Sequence, residues 1–122
     1  MRLFAGLVFI AALPIPAMGQ TLVWSSCQTV IGVINEPIGS TGNVLLTLSP
    51  GVTGCNFAGV AGAVGFEVGQ DGVGADNLNG FLATGLSALA IGRQVQVAYD
   101  TSSGANCYAT AITVGGTNGQ CP

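Results

Sequence analysis

The chain contains no histidine and no lysine, and its two cations are Arg2 and Arg93. Without histidine there is no Ser-His or Cys-His nucleophile pair and no imidazole metal ligand. Nucleic-acid affinity rests on Lys and Arg neutralising phosphates, and so few cations exclude it. Electrostatic binding to an anionic membrane surface fails for the same reason. Charged residues make up 6% of the chain, but hydrophobic residues make up 49%, which excludes disorder. Close cysteine pairs of the C-x2-C kind are absent, which argues against a four-thiolate zinc site. We expect no cofactor and no metal.

What is present begins with a leader. Arg2 is followed by an unbroken apolar run from Leu3 to Leu13, then Pro14-Ile15-Pro16, then Ala17-Met18-Gly19. This is the layout of a cleaved signal peptide over residues 1–19, with the cut before Gln20. The alternative is a retained anchor, but a spanning helix needs roughly 20 apolar residues. No cysteine follows the cut to carry a lipid. The expected mature chain, 20–122, is one domain with no stable membrane insertion. It keeps Arg93 against Glu36, Glu67, Asp71, Asp76 and Asp100, a formal charge of 1 − 5 = −4. Four cysteines remain, Cys27, Cys55, Cys107 and Cys121. An even number in an exported chain reads as two disulfides formed in an oxidising space, the periplasm or the outside of the cell. Spacing alone allows three pairings.

Alternation and turn residues predict the elements. A β-branched strand runs over 27–34 and ends at a turn, Asn35-Glu36-Pro37; a second covers 44–48, so the two form a hairpin. A third strand falls near 61–68, after a glycine-spaced stretch. Asp76 is placed to cap a helix over 76–91. Leu78, Phe81, Leu82, Gly85, Leu86, Leu89 and Ala90 mark its apolar face, and Gly92 its end. Strands over 95–99 and 107–114 follow, with a turn at 100–104. The order predicts an α+β fold, a small five-stranded OB-like barrel with one helix between strands 3 and 4.

Chemistry-bearing residues are sparse. Glu67, Asp71 and Asp76 lie close in sequence, as in a calcium loop, but the spacing is not that of an EF-hand, and a polar turn with a helix cap explains them. Two of the same acids could form a glycosidase pair, yet that reaction needs a deep cleft. The glycine run GVAGAVG lacks the Lys-Ser/Thr of a phosphate loop. Trp24, Tyr99 and Tyr108 suit stacking on sugar rings, against the alternative of core packing. Arg93 could hold a ligand carboxylate or compensate the helix dipole.

The helix NLNGFLATGLSALAIG, then GRQVQVAYD, a polar turn, CYATAITV and a last cysteine resemble the B subunits of bacterial AB-type toxins, especially the subtilase-cytotoxin kind and similar small exported proteins. The resemblance covers about Asp76 to Cys121; the first half matches in strand order and in Cys27 and Cys55. It implies a non-enzymatic binder of cell-surface glycans that forms a homopentamer. An OB topology runs the third and fifth strands side by side, which implies Cys55–Cys107 with Cys27–Cys121. The alternative function is a structural or adhesive component of an extracellular assembly.

Overall fold

The computed structural model describes residues 21–38 and 41–122. The leader expected over 1–19 and the tip of the first hairpin lie outside the described residues. Eight strands and one α-helix follow in the order β1 (Leu22–Trp24), β2 (Thr29–Ile38), β3 (Thr41–Ser49), β4 (Asn56–Phe57), β5 (Val60–Ala61), β6 (Val64–Glu67), α1 (Ala75–Ile91), β7 (Val95–Asp100) and β8 (Ala109–Val114), with a short 3-10 turn at Thr117–Gly119. They form two three-stranded sheets, β1-β7-β8 and β2-β3-β6, and the small hairpin β4-β5, all antiparallel within each sheet.

Two isolated bridges join the sheets. Gln28, just ahead of β2, pairs antiparallel with Val95, and Gly65 in β6 pairs parallel with Tyr108, just ahead of β8. At the first, each backbone N–H donates to the other's carbonyl at 2.8 Å. The Gln28 side chain is itself buried; its Oε1 accepts from Gly51 N–H at 2.8 Å and its Nε2 donates to Ser26 Oγ at 2.9 Å.

The first hairpin is longer than its sequence suggests. The expected turn at Asn35-Glu36-Pro37 is strand, with Pro37 opposite Gly42. Proline cannot donate to a ladder, but β2 is an edge strand of its sheet, where an outward position needs no donor. A bulge between Val30 and Gly32 leaves Ile31 without a cross-strand partner and pushes it outward, 57% exposed. The third expected strand is shorter than 61–68, because β4 and β5 take up the preceding glycine-spaced residues; neither they nor β1 were expected from the sequence.

The helix has its expected span but not its expected cap. Gly74 is the N-cap, in extended conformation, and its N–H donates to Asn77 Oδ1 at 2.9 Å. Asp76 instead sits in the first turn, where its negative charge complements the positive end of the helix dipole. Gly92 closes the helix in the left-handed region, φ 69°. The packed face is also narrower than expected. Gly85 and Ala88 are buried, Leu78, Phe81 and Leu82 pack partly against the core, and Leu86, Leu89 and Ala90 are exposed. The reason is close approach: a Cβ on Gly85 would stand 2.9 Å from Leu46 Cδ2 and 3.5 Å from Val33 Cγ2. Small residues therefore occupy the contact line, and the leucines beside it turn to solvent.

The sheets divide the apolar residues into two clusters. Val44, Leu46 and Leu48 of β3, Val64 and Phe66 of β6 and Val95 and Val97 of β7 meet the helix, with Phe66 and Phe81 rings stacked at 4.2 Å. On the other side of β3 and β6, Leu45, Phe57 and Ala63 form a second cluster that takes in Val60 and Tyr108. Disulfides Cys27–Cys121 and Cys55–Cys107, the pairs that the resemblance implies, tie the tail to the start of β2 and the β4 hairpin to the start of β8.

The Phe57 ring lies directly on Gly65: a Cβ there would fall 2.3 to 2.5 Å from three of its atoms. Gly65→Ala should therefore destabilise the protein by about 1–3 kcal/mol in urea unfolding. Phe57→Leu in the Gly65→Ala background should recover part of that loss, and an unchanged urea midpoint for Gly65→Ala alone would contradict the contact.

Candidate binding surface

Tyr108 stands at the entrance to β8, half-buried, its ring edge-on to Phe57 at 5.7 Å. Alternation along β6 sends Val64 and Phe66 into the core and Gly65 and Glu67 to the opposite face, the one Tyr108 joins. Glu67 lies opposite Asn43 of β3. Asn43 is 1% exposed, and its Oδ1 has no hydrogen-bond partner among the described residues.

Beyond Glu67 the chain turns sharply. Gln70 N–H donates to Glu67 O at 3.0 Å, Val73 N–H to Gln70 O at 2.9 Å and Gly69 N–H to Val73 O at 2.9 Å. Within this turn Asp71 has φ 49°, a left-handed conformation that Asp and Asn tolerate. The turn sets the Asp71 carboxyl against that of Asp100 at the end of β7. Asp100 is 5% exposed, and its Oδ1 accepts from Ser102 Oγ at 2.7 Å, Ser102 N–H at 2.8 Å and Thr21 N–H at 3.0 Å. Its backbone N–H donates to Tyr108 O at 2.9 Å.

These surroundings separate the two acids. The Ser102 hydroxyl, helped by the Ser102 and Thr21 amides and by Asp71, holds the Asp100 carboxyl below the usual aspartate range against the opposing effect of burial. Burial, then the Asp100 charge and the contact with it, push Asp71 upward. Burial, with the charges of Glu67 and Asp71, raises the Tyr108 phenol. The patch thus presents an un-ionised phenol beside carboxyl groups, rich in acceptors. Among the described residues the surface has no pocket, so this is an open patch rather than a cleft.

The four residues singled out in the sequence do not converge. Trp24 is 45% exposed on β1 opposite Ala98. Tyr99 packs against the helix-side core, whereas Tyr108 belongs to the cluster on the other side, so paired strands carry the two rings to different faces. Arg93 is exposed with its guanidinium against Gly115, at the opposite end of β7 and β8. Five strand steps lead from Val95 to Asp100, roughly 17 Å. Glu67, Asp71 and Asp76 form no group of three that could hold a metal ion among the described residues. Sequence reading missed Asp100, although a serine two residues after an aspartate is the signal of a local side-chain turn.

No protein-family model matches the sequence, and no curated protein matches it by sequence. The fold, however, has a counterpart. A chain from the solved structure describing the assembly of subtilase cytotoxin SubAB is similar, with a TM-score of 0.58 at 9% identity, over 83% of this chain and 92% of that one. The likeness is one of fold. Among the described residues no helix is long and apolar enough to cross a membrane, and the two disulfides point to an oxidising, non-cytoplasmic location.

Asp100 is the group whose ionisation the fold supports most directly. Because its pKa is lowered on folding, it contributes stability that is complete above the unfolded value and is lost as pH falls through the folded one. Ser102→Ala removes the hydroxyl that does most to hold it ionised. The acid limb of a melting temperature against pH curve should then move to higher pH in Ser102→Ala, and coincident limbs would refute this role of the hydroxyl.

Proposed function

We propose that the chain is an exported, non-enzymatic binding module that, once freed of a leader over 1–19, presents the Tyr108 patch to a cell-surface glycan. The observation that carries this reading is the half-exposed Tyr108 ring flanked by the acceptors Glu67 and Asp71. An aromatic face takes the apolar side of a sugar ring, and carboxyl oxygens accept from its hydroxyls. The resemblance of Asp76–Cys121 to toxin B subunits and the fold likeness to a chain of the subtilase cytotoxin assembly support it. The OB-like barrel belongs to the same reading: the two bridges would close the strands in the order β2-β3-β6-β8-β7 and back to β2, with β6 and β8 parallel. So does a ring of copies, a homopentamer by analogy with the toxin subunits.

Of the other candidates, Trp24 keeps a place as an outlying contact on its exposed edge strand. Tyr99 serves the core, and Arg93 lies too far off to share one small ligand with Tyr108. A second reading, a structural component of an extracellular assembly, draws on the exposed apolar residues Leu86, Leu89 and Ile91 of α1.

The test is a glycan screen with the oxidised protein, followed by titration of the best binder. Tyr108→Ala should weaken binding about tenfold or more, while Arg93→Ala should bind as the wild type does. Absence of any glycan binding by a folded protein, or equal affinity of Tyr108→Ala and wild type, would overturn the assignment. A discrete pentamer by light scattering would support the toxin-like arrangement, and a clean monomer would remove it.

A further inference from the structure

The contact between Asp71 and Asp100 poses a problem of donors and acceptors. Asp71 Oδ2 is buried and, among the described residues, has no hydrogen-bond donor facing it. Its polar neighbour is the carboxyl of Asp100, which is itself an acceptor. Asp100 already receives three donors on Oδ1 and is nearly sealed from water. Two ionised carboxylates in such contact repel, and each leaves the other without a donor. One proton between them removes both difficulties. Asp71 is the member that holds it, because Asp100 has its own donors and Asp71 has none.

We propose that Asp71 and Asp100 share a proton, and that this proton latches the turn 69–74, which leads into α1, onto the end of β7. The latch is closed between the titrations of Asp100 and Asp71 and opens as pH rises above the higher one. It holds whether or not the Tyr108 patch takes a glycan.

The surroundings fix the direction of the switch. Glu67 from β6, Asp100 from β7 and Tyr108 from β8 are the titratable groups that face the turn, and Asp76 in the first turn of α1 is exposed to water. All but the phenol are acids. Asp100, the acid in contact with it, resists a negative charge on Asp71, and Arg93 stands at the far end of the β7-β8 pair, where it offers no compensation. A group whose pKa is raised on folding contributes stability below the unfolded value and loses it as pH rises through the folded one. Asp100 has the opposite sign and fails at the acid end. The turn is thus held most firmly between the two titrations. Above the higher one it releases, with the left-handed residue Asp71 as its weak point.

The experiment is carbon-detected NMR titration of the aspartate carboxyls in the oxidised protein, together with amide exchange of residues 69–74 corrected for intrinsic rates. Asp71 should titrate above the ordinary aspartate range and Asp100 below it. Protection of Gly69 and Val73 should fall by up to about tenfold per pH unit above the Asp71 titration, the slope for release of one proton. Asp71→Asn, which tolerates the same backbone and donates an N–H at every pH, should keep the turn protected throughout. Ordinary titration of both acids, or pH-independent protection in the wild type, would overturn the latch, as would the same pH dependence in Asp71→Asn. If added calcium abolishes the pH dependence, a cation rather than a proton bridges the pair, and the proposal fails.

Discussion

The pair of backbone hydrogen bonds between Gln28 and Val95 is the point on which the two sheets depend. Both residues are fully buried, so each of those four polar groups would cost about 1–3 kcal/mol if left unpaired. The bonds bring the start of β2 to the start of β7, and the Gln28 side chain extends the join to Gly51 after β3. With that edge fixed, the β2-β3-β6 sheet and the β1-β7-β8 sheet can share one apolar interior. The bridge from Gly65 to Tyr108 completes the join on the other side. The side-chain directions of Glu67, Tyr108 and Asp100 follow from these two registers, because a slip of one residue would send each of them to the opposite face. The candidate surface is thus a product of strand pairing more than of any loop.

The helix obeys the same economy. Its closest contact is made by Gly85 and Ala88, so the backbone of α1 lies near β2 and β3 and the larger Phe81 reaches over to stack on Phe66. That approach holds the C-terminal end of the turn 69–74 in place. Asp71 is brought to Asp100 from one side by β6 and from the other by the start of the helix. A carboxyl pair that would separate freely on a mobile loop is here pressed together by elements anchored elsewhere.

Much of this was readable from the residues, and the failures have physical causes. Hydrophobic spacing marked α1 almost to its ends, and Gly92 marked its close, because these are local signals. Its cap was misplaced because Asp76 and Asn77 compete for one role, and the side chain that reaches back to Gly74 belongs to Asn77. The outward leucines were misassigned because periodicity weighs residue size, while Gly85 and Ala88 win the contact line by being small. β1, β4 and β5 were missed since two- and three-residue strands exist only through partners distant in sequence. The same holds for the surface: Tyr108 was visible as an aromatic with a polar edge, but nothing local separates it from Tyr99. Only the bulge at Thr110 and the pairing of β7 with β8 determine which ring faces which way. The meeting of Asp71 with Asp100 is a tertiary fact with no sequence signature at all.

The two disulfides are nested, one spanning 94 residues and enclosing the other, which spans 52. The inner bond joins cysteines that are neighbours in order along the chain, and the outer one joins the first to the last. A polypeptide entering an oxidising space with its N-terminus first exposes Cys27, then Cys55, then Cys107, and Cys121 only as the last residues arrive. Bonds made in order of arrival would link Cys27 to Cys55, a pairing the finished protein does not contain. Native oxidation must therefore either keep Cys27 reduced until Cys121 arrives or undo an early mistake. The biogenesis of this protein thus turns on the fate of Cys27, kept reduced until the end or released from an early partner by disulfide exchange.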